Sequence, residues 1–250
     1  MAAGVVKSWR ILLLAALGIA LSGFFLAIMR PPGGQSSAPG QDLPWQVIAS
    51  PDGATLTVFG LTLGQSTVRD AVDKLGRRYE LGVFQNPEGR SSLEAYFRDT
   101  VVGGLNVRLV LAARLPEPML DGLRGRAGAG KPTADGGRRY PVAEADTTLG
   151  LEAVVTGITY MPVIKFDAEL VRKRFGEPAE RIAAQDGTHW LYPALGLDLL
   201  LGSNGEALLQ YVPPVEFERR LRAPLGQNRG NEEHDDATRS VRRDGPSDRA

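Results

Sequence analysis

"RFGEPAERIAAQDGTHWLYPALGLDLLL", Arg174 to Leu201, reads as a small module: a helix end, a loop, then strands. Phe175-Gly176 is a helix stop, with Pro178 just beyond it. "THWLYP" carries aromatics at strand spacing, and Leu197, Leu199 and Leu201 alternate to one side. Upstream, "FDAELVRKRF" offers Asp167 as the helix N-cap, with Leu170, Val171 and Phe175 on one face. Downstream, "SNG" at Ser203 to Gly205 is a hairpin signal, and "EALLQYV" returns as a further strand.

About a hundred residues earlier the chain says something similar. Val68, Ala71, Val72 and Leu75 follow helical spacing, capped by Ser66 or Thr67 and ended by Gly76 in a left-handed conformation. After it come the polar turn "NPEG", matching "QDG" at Gln185 to Gly187, and the aromatic strand "SLEAYF". In "GGLNVRLVLA", Leu105, Val107, Leu109 and Leu111 alternate. "LPEPMLDGLR" and "VPPVEFERRLR" close the two copies as short terminal helices, and Glu80 and Glu180 fall equally placed after the two stops. "LGLEAVVTGITYM" leads as a strand into the second helix, as "GATLTVFGLTL" leads into the first.

The expected fold class is α+β: one N-terminal transmembrane helix, then two tandem repeats of a helix with an antiparallel sheet. Its parts are a cytoplasmic N-terminus (1–10), an anchor (11–29), a flexible linker (30–44), repeat 1 (45–124), a Gly-rich inter-repeat linker (125–148), repeat 2 (149–222) and a disordered charged tail (223–250).

The anchor is "ILLLAALGIALSGFFLAIM", whose apolar residues include Ile11, Leu12, Leu13, Leu14, Leu17, Ile19, Leu21, Phe24, Phe25, Leu26, Ile28 and Met29. As a helix it spans about 28 Å, close to the ~30 Å of bilayer hydrocarbon. A cleaved secretory signal is the alternative, with "ALSG" as a possible cleavage site. Lys7 and Arg10 before the span against Arg30 after it favour a cytoplasmic N-terminus, with the folded part in the periplasm at the inner membrane. The first partner expected is therefore the lipid bilayer.

Composition narrows the chemistry. Lys plus Arg equals Asp plus Glu at 29 each, which gives no electrostatic footprint for nucleic acid. With no Cys there is no thiol nucleophile, zinc knuckle, iron-sulfur ligation or disulfide. Two His, one of them in the tail, do not make a metal site, and no cofactor is expected. His189 reads as a surface or hydrogen-bonded structural residue. A triad would have to join it to a serine such as Ser203, without a Gly-x-Ser-x-Gly elbow. "GRAGAGKP", Gly125 to Pro132, almost spells a phosphate loop, but Pro132 stands where Ser or Thr must hold magnesium. Glu177, Glu180 and Asp186 lie among Arg172, Lys173, Arg174 and Arg181, where solvated ion pairs are the ordinary outcome.

"GLTLGQSTVRDAVDKLG" resembles the helix start of the BamE/OmlA family of small outer-membrane-assembly lipoproteins, and "RFGEPAE" with "HWLYPALGLDLLL" looks like the later part of that pattern. A tandem of such units is also similar in architecture to the β-lactamase inhibitory protein, whose paired sheets form a concave protein-binding face. The likeness covers roughly 54–111 and 151–211. This chain lacks the lipidated Cys of that family; what the resemblance implies is the fold and a leaning toward protein binding.

The expected function is a membrane-anchored, non-enzymatic envelope protein that docks a protein partner. Tyr96, Trp190, Tyr192 and Tyr211 are the candidate binding surface, provided their strand faces are open; packed on a helix they are core. The alternative is an envelope hydrolase working in the cleft between the repeats, with Glu180 or His189 in its chemistry.

Overall fold

The computed structural model describes residues 42–133 and 136–226. A small antiparallel meander comes first: β1 (Ile48–Ala49), β2 (Leu56–Val58) and β3 (Leu61–Leu63). Its tight turn places Phe59 at φ 54° and Gly60 at φ 67°, so both central residues are left-handed, as a type I′ hairpin turn requires. A bulky side chain at positive φ is strained. Phe59 is fully buried, its ring edge-on to Tyr160 at 5.3 Å and Tyr211 at 6.2 Å, and that packing offsets the strain.

Helix α1 (Val68–Leu75) forms because its apolar residues share one face and its first turn is capped. Thr67 Oγ1 accepts from the Asp70 amide at 3.2 Å while the Asp70 carboxylate accepts from the Thr67 amide at 2.7 Å. Val68, Ala71, Val72 and Leu75 are buried. There follow β4 (Tyr79–Gln85), β5 (Ser91–Val102), β6 (Leu105–Arg114), α2 (Glu117–Ala127), β7 (Lys131–Pro132), β8 (Arg138–Pro141), α3 (Thr147–Leu151) and β9 (Val154–Pro162).

Helix α4 (Ala168–Phe175) is capped by Asp167, whose side chain accepts from the Leu170 amide at 2.7 Å. The chain then runs through β10 (Glu180–Ala184), β11 (Gly187–Tyr192), β12 (Leu197–Leu201) and β13 (Ala207–Tyr211). A 3-10 turn at Pro214–Glu216 and a helical turn at Glu218–Arg222 follow. Gly76 and Gly176 end α1 and α4 at φ 99° and 81°, but with ψ at 168° and −166°, which is extended and not the left-handed helical cap.

Two features of the expected architecture are corrected. First, the strands expected of two separate repeat sheets lie in one large sheet. Ten strands hydrogen-bond in the order β10-β11-β12-β13-β9-β6-β5-β4-β8-β7, every pair antiparallel. The cause is β9, whose residues from Gly157 to Met161 are all buried, so both of its sides and both of its faces need cover. It pairs with β13 and, over eight residue partners, with β6, fusing the halves into one sheet with one main core from Leu56 to Tyr211. Residues 125–148 likewise hold β7, β8 and α3, and β8 extends the sheet beyond β4.

Second, among the described residues no helix is long and apolar enough to cross a membrane. The longest α-helix among the described residues, Glu117–Ala127, has 11 residues, where a span needs about 20. The run from Ile11 to Met29 lies outside the described residues, as does the tail beyond 226. The fold is therefore α+β, mostly sheet, without a demonstrated spanning helix.

One face of the large sheet carries α1, α2, α4 and the small meander, and holds the main core. Onto the other face the C-terminal segment lays Phe217 and Leu221, against Ala112, Ile182, Leu191 and Val212. Farther along that face Val110, Met161 and Leu208 pack with half-buried Tyr96 and Leu200.

Candidate functional site

Three of the four aromatic candidates belong to the core. Trp190 and Tyr192 point to the helix-bearing face, and α4 lies over them, with the Phe175 ring 6.0 Å from that of Tyr192. Both are 5% exposed, and Tyr192 Oη donates to the Gly176 carbonyl at 3.1 Å, tying the strand to the helix stop. Burial, with Glu177 adding to it, pushes the Tyr192 hydroxyl up to about 12 against the pull of Arg181 and Arg172. Tyr211 is fully buried and donates to the Pro44 carbonyl. Of the two alternatives the sequence leaves for these strand faces, these three residues take the packed one: an apolar strand face beside an amphipathic helix is covered by it. Tyr96 alone lies on the opposite face, half-buried, with the Arg98 guanidinium 5.7 Å from its ring centre. Burial holds its hydroxyl above the usual range, against the opposing charges of Arg108 and Arg98.

What reaches solvent above these aromatics is a set of cations. The Arg181 guanidinium lies 4.2 Å from the Trp190 ring centre and that of Arg172 lies 5.3 Å from it. Arg174 stacks in the same way on half-buried Trp45, at 4.2 Å. A single carboxylate, Glu177, bridges Arg172 at 3.0 Å and Arg181 at 2.6 Å. Arg172, Lys173, Arg174 and Arg181 are all exposed. Two elements fix them: the last turn of α4 sets Arg172 and Arg174, and the pairing of β10 with β11 puts Arg181 directly opposite Trp190. In the sequence these charges look like an ordinary solvated helix end. The signal that distinguishes Arg181, its register against Trp190, exists only once β10 is known to be a strand.

On the sheet's other face His189 and Asp198 form a buried pair. His189 Nδ1 is 2.9 Å from both carboxylate oxygens, and the side chains are 5% and 3% exposed. Burial raises the Asp198 acid above its ordinary value, opposed by the hydrogen bond and charge of His189. A Ser-His-Asp triad needs a serine hydroxyl at the other imidazole nitrogen, and among the described residues the contacts of His189 contain none. Ser203 lies away in the turn between β12 and β13.

The remaining chemical motifs also take structural places. Glu180 pairs with Arg222 at 2.8 Å. The Gly-rich stretch Gly125 to Pro132 runs from the end of α2 into β7, helix then strand, the reverse of the order a phosphate loop needs. Among the described residues no cluster of three or more His, Cys, Asp or Glu can hold a metal ion. Where a cleft between repeats would lie, β6 and β9 are hydrogen-bonded neighbours.

No protein-family model, curated protein or solved structure matches this chain. The resemblance to the BamE/OmlA family accordingly rests on the short motifs quoted above.

Proposed function

We propose that this protein is a non-enzymatic protein-binding module of the cell envelope, and that it docks its partner on the surface formed by the end of α4 and by β10. One observation carries the reading: the Arg172 and Arg181 guanidinium groups lie over the Trp190 ring, and that of Arg174 over Trp45, at the solvent boundary of the core. Arg and Trp are the residue types that dominate binding energy at protein interfaces. A guanidinium already stacked on a ring has lost much of its rotamer freedom before a partner arrives, which lowers the cost of binding. The inner-membrane location facing the periplasm belongs to the same proposal, and its support is the apolar run 11–29 with its flanking cations.

The test is site-specific photocrosslinking in the full chain, kept in its native membranes. A photoreactive group at Lys173, exposed beside the stacked arginines, should give one discrete adduct. The same group at Glu88, exposed in the turn between β4 and β5, should give none. Equal labelling from both sites, or none from Lys173, refutes the docking surface.

A further inference from the structure

Resting on that binding reading, we infer that the partner adds to the free edge of β10 as an extended segment in which acidic residues alternate with aliphatic ones. Among the described residues β10 has one hydrogen-bonded neighbour, β11, and so ends the ten-stranded sheet. An end strand presents unpaired backbone N–H and C=O groups along its outer side, and natural edges are normally blunted by short length, charged side chains, proline, bulges or a covering element. The opposite edge fits that rule, since β7 is two residues long and one of them is Pro132. β10 is guarded less: Glu180-Arg181-Ile182-Ala183-Ala184 carries charge only at its first two positions and contains no proline, and Arg181, Ala183 and Ala184 are exposed.

The two sides of this edge differ in chemistry, and the difference specifies the occupant. Side chains of an added strand alternate between the faces of the sheet. On the helix-bearing side they meet Arg181 and Arg172, which share the single carboxylate of Glu177. On the other side they meet Ile182 and the lip of the C-terminal segment, where Leu221 is buried and Leu225 half-buried, beside a Glu180–Arg222 ion pair whose two charges offset each other. Acidic residues therefore suit one side and aliphatic residues the other. A second copy of the chain suits the edge poorly, because pairing β10 with β10 brings the same arginines against each other.

The probe is a fluorescein-labelled octapeptide of alternating Glu and Val, titrated by anisotropy into the full chain, with amide exchange of residues 180–184 followed in parallel. Binding should be saturable and salt-sensitive, should slow exchange in β10, and should weaken about tenfold in Arg172→Ala or Arg181→Ala. Methylating the peptide nitrogens at one set of alternate positions should abolish binding, whereas methylating the other set should not, because only one edge of a strand can pair. Equal binding of a Lys/Val peptide, equal tolerance of both methylation patterns, or unchanged exchange in β10 overturns the inference. So does binding that appears only after residues 227–250 are removed, which would make the acidic stretch Glu232 to Asp236 the occupant, and so does dimerisation through β10. If Lys173 crosslinks a protein while β10 exchange stays unchanged, this inference fails and the binding reading stands. If neither occurs, both fail.

Discussion

The Tyr211 hydroxyl donates to the Pro44 carbonyl oxygen at 2.8 Å, joining residues 167 positions apart. Both residues are buried, and the bond fastens the segment leading into β1 to β13, an interior strand of the large sheet. Tyr211→Phe keeps the ring packed on Phe59 and removes only the donor, leaving a buried carbonyl without its partner. The expected loss is about 1–2 kcal/mol in urea unfolding. Trp45 adjoins Pro44, so its fluorescence should also become more accessible to a quencher in this variant; an unchanged midpoint and unchanged quenching would show that the bond contributes nothing.

The buried Asp198 predicts a pH dependence of definite sign. Its folded-state acid is raised, so the folded state holds its proton to higher pH than the unfolded chain, whose value is about 3.9. Below that value the two states carry the same proton and the group costs nothing. As pH rises through the raised folded value, the unfolded chain ionises more readily and stability is lost. Asp198→Asn keeps a hydrogen-bonding group beside His189 and removes the ionisation. The variant should therefore gain stability relative to the natural protein as pH rises from about 4 to 7, read from urea midpoints across that range. A difference that is flat or shrinks with pH contradicts the assignment.

Local signals account for the parts of this fold that were legible in the sequence. Thr67 with Gly76 and Asp167 with Gly176 bracket α1 and α4, and strict alternation exposes β6 and β12. β10 stayed hidden because an end strand buries little: of its five residues only Ile182 is buried, which leaves no alternation to read. β4, with Leu81 and Val83 directed to the core beside Tyr79, buries consecutive residues and shows no alternation between a helix stop and the turn at Asn86 to Gly89. The joining of β6 to β9 pairs residues some fifty positions apart, and no local pattern fixes such a register. The cluster of cations at the end of α4 is illegible for the same reason. Alternation puts Trp190 and Tyr192 on one face, but which face α4 covers, and that Arg181 stands opposite Trp190, follow only from pairing.

Thr159 carries a local inefficiency that can be repaired. It is fully buried in β9, and its hydroxyl has no hydrogen-bond partner among the described residues. A buried hydroxyl without a partner costs free energy that an isosteric methyl group does not. Thr159→Val should accordingly raise stability by about 1 kcal/mol in urea unfolding, with an unchanged slope. A destabilised variant would reveal a role for the hydroxyl that its surroundings do not show.

Gly196 closes the turn Pro193–Leu195 at φ 55° and ψ 29°, and its carbonyl accepts from the Val212 amide at 2.9 Å. A side chain there meets two obstacles. The left-handed backbone costs a non-glycine residue about 1–2 kcal/mol, and a Cβ would overlap the Val212 carbonyl oxygen, which is backbone and cannot swing aside. Gly89, at φ 82° in the turn between β4 and β5, meets only the first obstacle, because nothing lies within 4 Å of its Cβ position. Gly89→Ala should therefore lose about 1 kcal/mol, and Gly196→Ala about 3 kcal/mol or more. The excess measures how firmly the end of β13 is held against the turn that precedes β12. Equal losses in the two variants would mean that Val212 and its strand end yield freely, and that the contact does not fix the position of the C-terminal segment beyond it.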